Sequence, residues 1–109
     1  MSWQELAKTS QVLPGTLQSF DVAGRKILAV NFEGRYFAMK AVCTHMGGDL
    51  SKGKLKDKIV TCPRHGARFD VTTGECVSGP QIAFFKLKTE KAEVFETKVE
   101  GDSLKVNLA

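Results

Sequence analysis

Cys43-Thr44-His45 and Cys62-Pro63-Arg64-His65 each set a thiolate donor close to an imidazole donor, and sixteen residues lie between His45 and Cys62. Read together, the two pairs form a donor set for a 2Fe-2S cluster. Iron in such a cluster normally takes four thiolates; when His replaces two of them on one iron, the cluster becomes less negative and its reduction potential rises. The chemistry implied is one-electron transfer. The chain has only three Cys and two His in 109 residues, and both His fall within three positions of a Cys. A structural zinc site is the main metal alternative, but its Cys pairs are usually spaced by about two to four residues and its His pairs by about three to five. Neither spacing occurs here. A third reading takes the Cys as small buried hydrophobes and the His as satisfied core groups, the common fate of either residue alone.

The residues around the pairs suit the first reading. Gly47, Gly48 and Gly66 follow His45 and His65, where the lack of a side chain lets backbone amides approach the negatively charged sulfides. The same glycines also serve as turn formers. Pro63 fixes one backbone dihedral between Cys62 and His65 and stiffens that loop. Cys76 has no Cys or His neighbour and reads as an inert packed residue.

A chain of 109 residues makes one domain, 1–109, with a modest core. Met1 to Lys8 lacks the basic start and apolar stretch of a signal peptide, and no run approaches a membrane span, so a soluble, cytoplasmic protein without a membrane anchor is expected. An odd count of three Cys fits a reducing compartment better than a disulfide scaffold. The net charge of +4 raises nucleic acid as a partner, yet no aromatic platform or Arg-rich stripe accompanies it. The Lys residues gather instead at Lys52, Lys54, Lys56 and Lys58, between the two Cys/His pairs. Such a segment either steers an acidic protein partner or is an ordinary solvated face.

To position the pairs, the chain must bring two loops together, and its patterning predicts antiparallel strands. From Leu17 onward short β-rich runs alternate with turn signals. Strands are expected at Thr16–Val22, Arg25–Phe32 and Arg35–Val42, with turns at Ala23-Gly24 and Glu33-Gly34; the last strand delivers Cys43. Lys58–Thr61 delivers Cys62 in the same way, and Ala67–Val71 returns through Thr72-Thr73-Gly74 to Glu75–Val77. A C-terminal hairpin is expected from Val94–Glu100 and Ser103–Leu108 around Gly101-Asp102. Gln81 to Glu93 reads as a loop with an apolar anchor.

With these residues in view, the chain resembles the Rieske iron-sulfur proteins, most closely the small Rieske-type ferredoxins. The resemblance rests on Cys43-Thr44-His45-Met46-Gly47-Gly48, on Cys62 through Asp70, and on Ser78-Gly79-Pro80. It implies an all-β Rieske fold: an antiparallel sandwich-like base carrying a small cluster-binding subdomain at about 42–80. It also implies that Cys43 and Cys62 hold a buried iron, that His45 and His65 hold the outer one, and that these His form the electron's exit. Ser78-Gly79-Pro80 matches the family's proline loop. Two departures from the respiratory branch matter. The positions of that branch's loop-tying disulfide are here Gly48 and Arg64, and its hydroxyl-bearing positions are Ala67 and Phe69. Fewer donors near the sulfides disfavour the added electron, which implies a low potential for the family. Soluble members often carry Trp at the position of Arg64.

A terminal oxygenase needs a separate mononuclear iron, typically held by two His and a carboxylate, and no His remains for it. No Gly-x-Gly-x-x-Gly motif offers a dinucleotide site, and no small-molecule substrate is expected. The expected role is therefore a non-enzymatic carrier passing electrons from a reductase to an oxygenase or other redox acceptor. A small subunit of a larger reductase, such as a nitrite reductase, is the alternative; a zinc-stabilised binding module is the other.

Overall fold

The computed structural model describes residues 3–42, 49–63, 66–78, 81–82, 85–86 and 92–108. In chain order these form β1 (Trp3–Lys8), β2 (Leu17–Val22), β3 (Arg25–Phe32), β4 (Arg35–Lys40), β5 (Lys54–Lys56), β6 (Ile59–Thr61) and β7 (Arg68–Asp70). They continue with β8 (Cys76–Ser78), β9 (Gln81–Ile82), β10 (Phe85–Lys86), β11 (Val94–Phe95), β12 (Thr97–Glu100) and β13 (Ser103–Asn107). The only helical segments among the described residues are 3-10 turns at Thr9–Gln11 and Leu50–Lys52. Every described strand pairing is antiparallel, so the fold is all-β, as the alternation predicts.

The central sheet, β11-β4-β3-β2, sends side chains into a core on each of its faces. Its middle strand explains why: Ile27-Leu28-Ala29-Val30 is a continuous apolar run with successive side chains pointing to opposite sides. Ile27 and Ala29 join Leu6, Leu104 and Val106 in one core, against the sheet β1-β13-β12. Leu28 and Val30 join Val60, Cys62, Phe69 and Val71 in the other, against the sheet β5-β6-β7-β8. The second core is the floor of the candidate site.

The hairpin turns fall where the sequence predicts them. Ala23-Gly24 and Glu33-Gly34 are two-residue turns with both residues at positive φ, a geometry that matches the right-handed twist of the strands they join. Several strands differ from expectation. Strand β1 lies before Leu17 in a segment with no β-branched residue, and its pairing with β13 supplies the order that propensity lacks. The expected strand Val94–Glu100 is two strands, because the chain changes sheets at Glu96: Val94 and Phe95 pair with β4, while Thr97 to Glu100 pair with β13. Thr97 marks the corner by donating its hydroxyl to the Tyr36 carbonyl at 2.8 Å. In the segment expected as a loop, Gln81–Ile82 and Phe85–Lys86 pair with each other; residues 83–84 and 87–91 lie outside the described residues.

At Gly74 the turn between β7 and β8 lies close against the segment that leads into β11. A Cβ there would lie 2.2 Å from the Ala92 carbonyl oxygen, and the bare backbone instead accepts a hydrogen bond from Ala92 N at 2.7 Å.

Candidate metal centre

Of the four expected ligands, Cys62 is among the described residues; Cys43, His45 and His65 are not, nor are Gly47, Gly48, Arg64 and the Gly79-Pro80 part of the proline-loop match. The described residues nonetheless show how the segments flanking both Cys/His pairs are anchored. Strand β4 ends at Lys40, two residues short of expectation, and the chain bends before Val42 forms an isolated bridge with Asp49. Leu50 N donates to the Ala41 carbonyl at 2.8 Å. Residues 41–42 and 49–50, which flank Cys43 and His45 in the sequence, are therefore held side by side.

The second loop is closed in the same manner. Cys62 N donates to Ala67 O at 2.7 Å, and Gly66 N donates to Cys62 O at 3.2 Å. Cys62 is 2% exposed and has no disulfide. Its setting, between Ala41, Leu50, Val60, Ala67 and Phe69, is apolar. A thiolate facing such a core is costly without a cation, whereas a ligated iron neutralises it. Cys62, the expected ligand among the described residues, thus fits the buried side of a cluster.

The two anchored segments meet at Gly53. A Cβ on Gly53 would stand 2.0 Å from the Thr61 carbonyl oxygen and 3.2 Å from that of Leu50, so no side chain fits between the segment leaving the first loop and the strand entering the second. Asp49 secures the first of these segments. Its Oδ1 accepts from Ser51 Oγ at 2.6 Å and Ser51 N at 2.9 Å, and its Oδ2 lies 3.7 Å from Lys26 Nζ. The Ser51 hydroxyl leads in holding the Asp49 carboxyl below its ordinary range; burial opposes this but is outweighed with help from Ser51 N, Lys26 and Lys52.

Asp70 is the counterpart on the second side. Burial disfavours its charged form, yet hydrogen bonds from the Thr72 hydroxyl and amide, with Lys58 at 3.4 Å, outweigh burial and leave its carboxyl lowered. Sequence reasoning gave neither aspartate a role, although Asp-x-Ser and Asp-x-Thr are turn signals: the first opens the 3-10 turn after residues 43–48, and the second caps the turn that follows β7. Cys76 is half-buried, pairs with Phe69 across β7 and β8, and packs on the same core.

Residues 2–103 match the Rieske 2Fe-2S domain. The chain is a Rieske protein. It is 33% identical over 108 residues to the ferredoxin component of biphenyl 2,3-dioxygenase from Rhodococcus jostii (strain RHA1), covering 99% of this chain and 94% of that one. It is 38% identical over 104 residues to the cytochrome b6-f complex iron-sulfur subunit of Chlorobaculum thiosulfatiphilum, covering 95% of this chain but 52% of that protein. Among solved structures, the ferredoxin of carbazole 1,9a-dioxygenase from Nocardioides aromaticivorans IC177 superposes with a TM-score of 0.78 at 26% identity, covering 97% of each chain. Membership brings the Rieske 2Fe-2S cluster as cofactor and sets aside the zinc-stabilised alternative. No helix among the described residues is long and apolar enough to cross a membrane.

Proposed function

We propose that this Rieske ferredoxin carries single electrons from a reductase to the oxygenase component of a dioxygenase system, with Cys43, His45, Cys62 and His65 as its cluster ligands. The carrying observation is likeness along 99% of the chain to a dioxygenase ferredoxin component. Both His are used by the ligand set, so none remains for a mononuclear iron of the two-His, one-carboxylate kind. The chain is then a carrier and not the enzyme. The likeness to the Chlorobaculum subunit covers 52% of that protein, and lends this chain a domain rather than a whole-protein role.

When bound, the cluster supplies a reversible one-electron couple. The chain's own residues do the rest. The apolar wall around Cys62 keeps water from the buried side, and the paired backbone at Val42/Asp49 and Cys62/Ala67 anchors the segments that flank the expected ligands. A region at about 42–80 acts as the cluster-binding subdomain of a single domain, with the described sheet β5-β6-β7-β8 as its frame. The site is tested by EPR of anaerobically purified protein before and after dithionite, with iron and acid-labile sulfide measured on the same sample. A reduced signal of the His-ligated type with equal iron and sulfide is expected, and is lost in Cys62→Ala. Absence of sulfide from the native protein after reconstitution would refute the assignment. Copurification in a stable heteromeric reductase would favour the subunit reading over the carrier.

A further inference from the structure

The structure divides the Lys-rich segment into two parts with different surroundings. Side chains on β5, β6 and β7 alternate between faces: Leu55, Val60 and Phe69 pack inward, while Lys54, Thr61 and Arg68 lie in one cross-strand row on the outer face. Lys56, Ile59 and Asp70 form the next row on that face. Thr61 immediately precedes Cys62, and Arg68 immediately follows Ala67, whose carbonyl receives the Cys62 amide. The first row therefore borders the ligand loop, and the second lies toward the Asp57-Lys58 turn.

Charge is distributed unequally between the rows. Near the turn, Lys56 and Lys58 are offset by Asp57 and Asp70, and Lys58 is ion-paired to Asp70 at 3.4 Å. In the row beside Cys62, Lys54 and Arg68 are both exposed and, among the described residues, have no acidic partner. Neighbouring strands lie about 4.8 Å apart, which sets the backbones of Lys54 and Arg68 roughly 10 Å from each other with Thr61 between them. Both backbone positions thus lie within about one Debye length of that of Cys62 at physiological salt.

Protection of a sheet edge against aggregation is a common use of lysine. It accounts for Lys54 and Lys56 on the edge strand β5, but not for Arg68, which sits on the inner strand β7. We infer that Lys54 and Arg68 form a docking surface beside the cluster for an acidic face on a protein redox partner. Between the two cations the row offers Thr61 and no aromatic platform on which a base would stack, so a carboxylate-bearing protein fits and single-stranded nucleic acid does not. Positive charge placed beside the segment that carries Cys62 speeds encounter with such a partner and orients it. The inference rests on the electron-carrier reading.

The test uses holoprotein whose iron and sulfide have been quantified. Binding of a fluorescein-labelled twelve-residue oligoglutamate is followed by anisotropy at low salt, and the same peptide, unlabelled, is used to slow oxidation of the reduced cluster by hexacyanoferrate(III). In that reaction one electron leaves the cluster and yields hexacyanoferrate(II). Two double variants remove the same net charge: Lys54→Gln with Arg68→Gln, and Lys56→Gln with Lys58→Gln. The first is expected to weaken peptide binding at least about fivefold and to abolish protection; the second is expected to stay within about twofold of the native protein. Equal losses in both would show that binding follows net charge alone and would overturn the inference. Tighter binding of a twelve-nucleotide oligothymidine, dependent on Lys54 and Arg68, would overturn it in favour of nucleic acid. Missing acid-labile sulfide would instead count against the carrier reading, since peptide binding is read without the cluster.

Discussion

Gly53→Ala should damage both the stability of the fold and its capacity to hold a cluster. The added Cβ would begin 2.0 Å from the Thr61 carbonyl oxygen, while ordinary contact starts at 3.4 Å, so the two segments must separate by the difference, about 1.4 Å. The opposing atom is backbone, and no rotamer change can relieve it. Nor can the Gly53 side retreat freely: its amide donates to Leu50 O at 3.0 Å, and Lys54 is registered against Thr61 in the β5-β6 ladder. Overpacking of this kind costs about 1–3 kcal/mol. For a domain of this size that corresponds to a fall in Tm of roughly 4–13 °C. Because Thr61 is joined to Cys62, the displacement falls on the ligand loop, and acid-labile sulfide per chain should drop with Tm. Gly15→Ala provides the control, since Gly15 has positive φ but open space around its Cβ position. It should cost about 1 kcal/mol in backbone strain and leave sulfide content intact. Circular-dichroism melts and sulfide assays on the three proteins decide the matter. A Gly53→Ala protein with native Tm and full sulfide would refute the idea that this contact spaces the loops.

Other consequences are open to direct measurement. Asp49 and Asp70 have folded-state carboxyl pKa values below their ordinary range, so the stability they contribute is present above about pH 4 and is lost as pH falls through the depressed values. Urea unfolding between about pH 2 and 6 should show an acid limb that flattens in Asp49→Asn and Asp70→Asn; an unchanged limb would contradict the assignment. Ala23 sits at φ 51 in a two-residue turn, a conformation that Asn tolerates better, so Ala23→Asn should raise stability by about 0.5–1 kcal/mol in the same assay. Ala67 and Phe69 are both buried and bring no hydroxyl to the cluster's surroundings, which places the reduction potential near the low end of the roughly −150 to +300 mV Rieske range. An EPR-monitored titration giving a strongly positive value would exclude that account, and Ala67→Ser should shift the potential upward.

What was legible in the sequence was whatever the chain writes locally. Arg25–Phe32 and its flanking turns were readable because an uninterrupted apolar run bounded by Gly-containing dipeptides has few other solutions. The family was readable because thiolate and imidazole seldom recur so closely in a chain with so few of either. What escaped was set by distant partners. Trp3–Lys8 is extended because β13 offers it an edge, and Glu96 becomes a corner because Thr97 finds the Tyr36 carbonyl; neither segment announces this in composition. The same limit applied to the lysines. In one dimension Lys52, Lys54, Lys56 and Lys58 form a uniform run, but pairing brings Asp70 to Lys58 and Arg68 into the row of Lys54. Pairing thus neutralises one end of the run and reinforces the other. The reinforced end adjoins Cys62, so the fold converts an even stripe of charge into a gradient directed at the redox centre.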